Sequence, residues 1–274
     1  MPVISGFKIT KIRRDPYFDM RSSHIHPMYE IYYLLSGTRK ILYDDSIYVL
    51  SDGDLVFIPM NTIHKTSHMN DKTHERIVVT FSSEPILGLK HEASGTYLRE
   101  VFYSEPVMHF SGADRSYVEG LLNKMLTEYD RPDHFSDLSI RNCLQELMIF
   151  LIRYKRHRRD EYIRDINTTD RLMQEAARYI RNNYMYDISL DSIANYVNLS
   201  PTYLSRKFKS STGFGCREYL VLVRIQAACV MLVETNKSII EIASACGFRN
   251  SNYFGDVFKK EKGLSPLQDR KRNG

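Results

Sequence analysis

Apolar positions follow two different periods along this 274-residue chain. Up to about residue 104 they come in short runs, Ile31 to Leu35, Ile41 to Tyr43, Ile47 to Leu50, Leu55 to Ile58 and Arg76 to Phe81. The runs are rich in Ile, Val and Tyr and are broken by Ser-Gly, Asp-Asp, Asp-Gly and Pro, which predicts strands of a sandwich or barrel; no helix longer than two turns fits there. From Asp114 the spacing becomes helical. Val118, Leu121, Leu122, Met125 and Tyr129 form one stripe, and after Arg131-Pro132 a second runs through Leu144, Leu147, Leu151 and Tyr154. The 3,4,3 spacing of the second stripe suits either a short coiled-coil seam between two chains or packing against the β-rich part. Arg153 to Arg164, with Lys155-Arg156-His157-Arg158-Arg159 inside it, is too charged to bury, so 155 to 168 reads as a hinge.

Beyond the hinge, a ten-residue pattern occurs twice. Ser200-Pro201-Thr202-Tyr203-Leu204-Ser205-Arg206-Lys207-Phe208-Lys209 returns 50 positions later as Asn250-Ser251-Asn252-Tyr253-Phe254-Gly255-Asp256-Val257-Phe258-Lys259. Each copy opens on a helix-capping residue and sets apolar residues four apart, so both read as short amphipathic helices. Upstream stand Leu190, Ile193, Ala194 and Val197 before Asn198-Leu199, and Ile239, Ile242, Ala243 and Cys246 before Gly247-Phe248, where the offset slips to 49. Small residues at a helix crossing, a turn holding Asn or Gly, and a capped second helix make a helix-turn-helix, which lays its second helix in the DNA major groove. Between the two units Tyr219, Leu220, Val223, Ala227, Val230 and Met231 lie on one stripe of a predicted helix from Cys216 to Val233. Its 18 residues would form a rod of roughly 27 Å, close to one turn of duplex DNA.

Residues 171 to 270 resemble the DNA-binding domain of the AraC/XylS family of bacterial transcription regulators. The second half carries that family's signature as Ile242-Ala243, Gly247-Phe248, Tyr253-Phe254, Phe258-Lys259-Lys260, Gly263 and Ser265-Pro266. Asp256 and Asp269 depart from it, standing where a polar or basic residue and an aromatic are usual. The resemblance implies double-stranded DNA as partner and RNA polymerase as a second one. It places DNA contacts at Thr202, Tyr203, Ser205, Arg206 and Lys209 in the first unit, and at Asn250, Ser251, Asn252 and Lys259 in the second.

The charge distribution agrees. From Thr168 onward there are 16 Lys and Arg against 10 Asp and Glu; residues 1 to 167 hold 22 against 23, so the net +5 is +6 in the last part and −1 elsewhere. A basic excess of this kind suits a phosphate-facing domain. The four cysteines, Cys143, Cys216, Cys229 and Cys246, fall on predicted apolar helix faces without a Cys-x-x-Cys, which indicates buried reduced thiols. Met-Pro-Val-Ile-Ser-Gly is no signal peptide, and no apolar run approaches the roughly 20 residues of a membrane span, so a cytoplasmic protein is expected.

The β-rich part holds His24-x-His26-x3-Glu30-x6-Gly37 and Gly53-x5-Pro59-x-Asn61-x2-His64, which resembles the two cupin motifs. Phe18 and Asn61 stand where those motifs have Gly, and His68 where the last Asn falls. Alternate residues of a strand share a side, so His24 and His26 would both point inward beside Glu30 and His64. This set would hydrogen-bond a small polar effector or hold a divalent transition metal, or it would serve structure alone. Tyr29, Tyr32, Tyr33, Tyr43 and Tyr48 offer an apolar face and a hydroxyl to a sugar ring, with Tyr32 and Tyr43 taken into the effector site; core packing is the alternative use of each.

The expected fold is multi-domain α+β: a cupin-like β-barrel over 1–112, a helical dimerisation and linker segment over 113–167, and an all-α domain with two helix-turn-helix motifs over 168–274. The expected function is a DNA-binding regulator, an activator working as a homodimer, that responds to a small molecule such as a sugar. Two other readings fit the residues: a metal-dependent cupin enzyme of oxygenase or isomerase type with a DNA tether, and a constitutive DNA-binding protein whose barrel is a dimer scaffold.

Overall fold

The computed structural model describes residues 5–15, 25–69, 73–89, 98, 101–102, 105–157 and 166–273. The β-rich part forms two antiparallel sheets rather than one hydrogen-bonded ring among the described strands. In the larger, the order is β1 (Phe7–Arg14), β7 (His74–Phe81), β2 (Tyr29–Ser36), β5 (Asp54–Ile58) and β8 (Val107–His109). The smaller runs β4 (Ser46–Leu50), β3 (Arg39–Tyr43), β6 (His64–His68). Strand alternation gives the larger sheet two apolar faces. Tyr29, Ile31, Tyr33, Ile77, Val79 and Phe81 face the helices α1 (Gly112–Asp130) and α2 (Ser136–His157). Tyr32, Leu34, Val56 and Ile58 face Ile41, Tyr43 and Leu50 of the smaller sheet.

The second stripe of the helical segment is spent inside the chain. Leu144, Leu147 and Leu151 are fully buried with Val118, Leu122 and Met125 against the large sheet. A seam between two chains is therefore not what this spacing serves; the face of α1 and α2 turned away carries the exposed Tyr117 and Ile149 instead. Of the stretch expected as a hinge, 155 to 168, only the two ends are described. Helix α2 continues through His157, Lys155 pairing with Glu105 at 2.9 Å, and residues 158–165 lie outside the described ones.

Seven helices follow: α3 (Thr168–Asn183), α4 (Leu190–Tyr196), α5 (Pro201–Thr212), α6 (Cys216–Glu234), α7 (Ile239–Ala245), α8 (Ser251–Lys262) and α9 (Pro266–Asn273). The slip of one residue between the repeats is visible in the turns. Asn198 and Gly247 both take left-handed φ, +54° and +81°, and both turns close with a bond from the next amide to a carbonyl five residues back, Leu199 to Ala194 and Phe248 to Ala243, each 2.9 Å. The extra residue, Arg249, comes just afterwards and pairs with Asp187. Leu204, Phe208, Phe254, Phe258, Ala194 and Ala243 join one core with α3 and α6.

That core extends into the β-rich part. Leu42, Ile47 and Ile63 belong to it, so the outer face of the small sheet is covered by the helices. Polar contacts frame the seam. Lys40 Nζ lies 2.7 Å from Asp170 Oδ2, the Ile47 amide donates to Gln174 at 3.1 Å, and Tyr219 donates its hydroxyl to the Asp44 carbonyl at 2.9 Å. The Asp44 carboxylate receives Arg181 at 2.8 Å and Gln226 at 3.0 Å; Gln226 also donates to the Asn61 carbonyl at 2.9 Å, and Lys262 reaches the Asn61 side chain. Asp44 and Asn61 both sit at left-handed φ, +50° and +62°, a conformation Asn and Asp tolerate and other side chains resist. Asn61 thus replaces a motif glycine without changing the backbone, and adds a side chain aimed at the helices.

The four cysteines are buried and unbridged, with the thiols of Cys216 and Cys246 pushed up by burial to about 11 and that of Cys229 to about 12. Replacing Asp44 with Asn keeps the left-handed turn but removes the charge that Arg181 and Gln226 share. Hydrogen bonds to charged groups are worth about 1.5–3 kcal/mol, so Asp44→Asn is expected to lower unfolding stability by about 1–3 kcal/mol in a denaturant titration. A change below about 0.5 kcal/mol would show that the seam contributes nothing beyond ordinary surface contacts.

Candidate functional site

The two reading helices are built alike. Helix α5 starts at Ser200, whose hydroxyl accepts the Tyr203 amide at 3.3 Å, and Pro201 occupies its first turn. Helix α8 starts at Asn250, whose side-chain oxygen accepts the amides of Asn252 at 2.8 Å and Tyr253 at 3.2 Å. Burying Leu204 and Phe208 turns Thr202, Ser205, Arg206 and Lys209 outward; burying Phe254 and Phe258 does the same for Asn252, Asp256 and Lys259. Tyr203 and Ser251 are half-buried. The Arg206 guanidinium sits 5.9 Å from the Tyr203 ring centre, and Lys207 Nζ 5.8 Å, so the aromatic face holds two cations at the front of α5. Helix α6, 19 residues long, spaces the two units by about 28 Å.

Because the Asn250 oxygen is committed to capping, only its amide donors remain for a base edge. Asp256 makes no ion pair among the described residues, and Lys260, four positions on, lies 3.9 Å from Glu261 instead. A carboxylate therefore stands in the second reading face at the place of Arg206 in the first.

The second site lies between the two sheets. Glu30 on β2, 4% exposed, faces His64 on β6, 1% exposed, with His26 at the strand entrance. Glu30 Oε2 is 3.2 Å from His26 Nε2 and 3.6 Å from His64 Nε2. The other ring nitrogens face backbone carbonyls, His26 Nδ1 that of Met28 at 3.1 Å and His64 Nδ1 that of Thr62 at 2.9 Å. Both nitrogens of each ring thus point at acceptors. Such a ring either carries two protons or puts a cation between Nε2 and the carboxylate. Burial opposes both charges here, yet the His64 and His26 rings outweigh it and hold the Glu30 carboxyl well below the usual carboxylate range. For His64 burial likewise lowers, and the Glu30 charge reverses it, raising the imidazole above its ordinary value. The donor atoms lie within 4.8 Å of one another, and the tautomers leave Nε2 facing inward, so a divalent transition ion fits this set. His24 and Phe18 lie outside the described residues. Tyr32 and Tyr43 point between the sheets, as does the half-buried Tyr48, whereas Tyr29 stacks on Phe57 and Phe81 and Tyr33 donates to Glu119 at 2.8 Å on the helical side.

Residues 16–81 match the family model of the cupin domain, and residues 193–272 that of a helix-turn-helix domain. The chain is a cupin-bearing member of the AraC family. Over 97 residues it is 41% identical to an HTH-type transcriptional regulator in the cgkA 5′ region of Pseudoalteromonas carrageenovora, a match spanning 35% of this chain and 57% of that protein. Against the HTH-type transcriptional activator RhaR of Salmonella arizonae it is 24% identical over 253 residues, 92% of this chain and 88% of the relative. A solved structure of ToxT from Vibrio cholerae, with unsaturated fatty acid bound, covers 97% of this chain and 95% of its own, with a TM-score of 0.42 at 14% identity. In this AraC-family regulator no described helix is long and apolar enough to cross a membrane.

Sequence reasoning missed part of the site between the sheets. Arg39, Arg76 and His74 are all buried there, 1%, 4% and 1% exposed, although charged residues in strands read most simply as solvent-facing. Strand parity carries the signal: Arg39 shares a side of β3 with Ile41 and Tyr43, and Arg76 pairs across from Leu34.

The unequal reading faces yield a test. A bidentate Arg–guanine pair carries about 1–3 kcal/mol of discrimination. Arg206→Ala is expected to relax preference at one base pair by that amount, and Asp256→Ala to leave affinity unchanged or tighten it, because a carboxylate near phosphates repels. Binding of both variants to a library of single-base operator changes measures this, and a larger specificity loss from Asp256→Ala would contradict it.

Proposed function

We propose that this regulator binds promoter DNA through Thr202, Tyr203, Ser205, Arg206 and Lys209 of the first unit and Asn250, Ser251, Asn252 and Lys259 of the second. Its DNA affinity is set by a small hydroxyl-bearing effector held between the two sheets at His26, Glu30, His64, Tyr32 and Tyr43, and the sequence motif adds His24, which lies outside the described residues. One observation carries the reading: His64 lines the pocket from the same strand, β6, whose next residue, Lys65, lies 4.6 Å over the Phe214 ring at the end of the first reading unit. A ligand that shifts His64 acts on the backbone that also carries Lys65, one residue along, against Phe214.

The regulator role, with cytoplasmic DNA and RNA polymerase as partners, fits the transcription regulators it resembles. A sugar is the natural first effector to try, since the pocket pairs a carboxylate and imidazoles with two tyrosines. A transition ion at His26, Glu30 and His64 would add a Lewis-acidic anchor for effector hydroxyls. Residues 1–112 would then sense, 168–274 bind DNA, and 113–167 join two copies through the exposed side of α1 and α2.

Changing Glu30 to Ala removes the group both imidazoles face, and is expected to abolish any effector-dependent change in operator affinity. Gel-shift titrations with and without a stabilising sugar from a thermal screen check this. Effector response equal to wild type in Glu30→Ala and His64→Ala would remove the pocket from the account.

A further inference from the structure

The end of the inter-sheet space opposite Glu30 is built from donors. On β2 Glu30 stands four residues before Leu34, which pairs with Arg76; on β3 Arg39 stands four residues before Tyr43, which pairs with His64. Two arginines thus mark one end of both facing sheets, about 13 Å along the strands from the Glu30 and His64 end, with Tyr32 between. Arg14 joins them, paired with His74 across β1 and β7.

The local bonding fixes which atoms donate. Arg76 Nη1 lies 3.2 Å from His74 Nε2, and an arginine can only donate, so Nε2 accepts and the ring's proton sits on Nδ1. Burial, and then the charges of Arg39, Arg76 and Arg14, push the His74 imidazole down to about 4, which keeps that ring neutral at pH 7. His74 Nδ1 is buried with no hydrogen-bond partner among the described residues, and the buried Tyr32 hydroxyl, with only the donor Arg76 beside it, has no acceptor there for its proton. Arg76 links the two, its guanidinium 5.6 Å from the Tyr32 ring centre and bonded to His74. Buried polar groups in folded proteins are nearly always satisfied, so two unsatisfied donors flanking a guanidinium mark a place for acceptors supplied from outside the protein.

We propose that the effector is an acid: its carboxylate is taken by Arg76, Arg39, Tyr32 and His74, while its hydroxyls meet Glu30, His64 and His26 at the other end. This rests on the effector reading above and narrows its ligand from a neutral sugar to a hydroxy acid such as a sugar acid. Planar guanidinium forks match carboxylate geometry, and a neutral His N–H and a phenol complete a shell of donors without adding a titrating charge.

The test uses the full chain at constant ionic strength, with matched probes: D-galacturonate against D-galactose and D-glucuronate against D-glucose, followed by thermal shift and calorimetric titration. Inorganic sulfate is the free-anion control. The expected result is that at least one acid binds about tenfold or more tighter than its neutral partner, a margin of the size charge-assisted bidentate recognition supplies. Tyr32→Phe deletes only the hydroxyl whose proton has no acceptor, so the unliganded protein should melt close to the wild-type temperature while acid affinity falls several-fold. Arg76→Gln should bring the acid down to its neutral partner.

Acid and neutral sugar binding alike, acid affinity surviving both substitutions, or no acid stabilising more than its neutral partner would each overturn the proposal. Sulfate matching the acids, an adventitious ion only, would overturn it too. If the neutral sugars bind in a Glu30-dependent way, the effector reading stands without the anion. If no probe binds through Glu30, both fall.

Discussion

A strand has two sides, and in the three-stranded sheet each side is assigned to a different part of the molecule. Along β6, His64 and Thr66 point between the sheets while Lys65 packs on Phe214; along β3, Tyr43, Ile41 and Arg39 point inward while Leu42 joins the helical core and Lys40 pairs with Asp170. With a side-chain period of two, sliding a strand by one residue would swap pocket groups for interface groups at every position. The sheet cannot adjust one face and leave the other, because there is one backbone between them. The β-rich part and the helical DNA-binding part therefore share one wall.

What holds the wall in register is electrostatic at both faces. Inside, Glu30 stays ionised in a buried position only because the two imidazoles face it, so the cluster ties β2 of the large sheet to β6 of the small one. Outside, Asp44 at one hairpin and Asn61 at the loop before β6 adopt left-handed backbones and gather Arg181, Gln226 and Lys262 from α3, α6 and α8. Buried ion pairs add little net stability, but they penalise any arrangement that leaves one partner alone. The geometry is thus specified at one end of the small sheet, where β3 ends and β4 and β6 begin, while the apolar residues farther along the strands supply the burial.

Much of the helical part was legible in the sequence, because its signals are local. Ser200 and Asn250 are caps, Asn198 and Gly247 are left-handed turn residues, and Leu204 with Phe208 fixes which side of α5 is hidden. The β-rich part was legible only where strands bury an apolar side. Strands β2, β3, β4, β5 and β7 were expected, but β6 reads His-Lys-Thr-Ser-His with no apolar residue, since one side carries His64 toward Glu30 between the sheets and the other meets the helices through the Lys65 stem. Strand β1 ends in Lys-Ile-Arg-Arg and β8 is three residues long, too little pattern to see. The stripe through Leu144 and Leu151 had the spacing of a seam between chains and is buried within one, a choice that periodicity cannot make because both partners present an apolar face. The inward Arg39 and Arg76 were hidden by the same ambiguity: only the pairing register shows which side they take.

The shared wall is tested most directly by amide hydrogen exchange on the full chain, wild type against His64→Gln. The substitution touches only the inner side of β6. If the sheet is one body with the helices behind it, faster exchange is expected in β6 and also at the C-terminal end of α5 and the first turns of α6, around Thr212 to Gln226, while α8 beyond its Lys262 contact changes little. Exchange changes confined to the strands, with Thr212 to Gln226 as protected as in the wild type, would contradict the account.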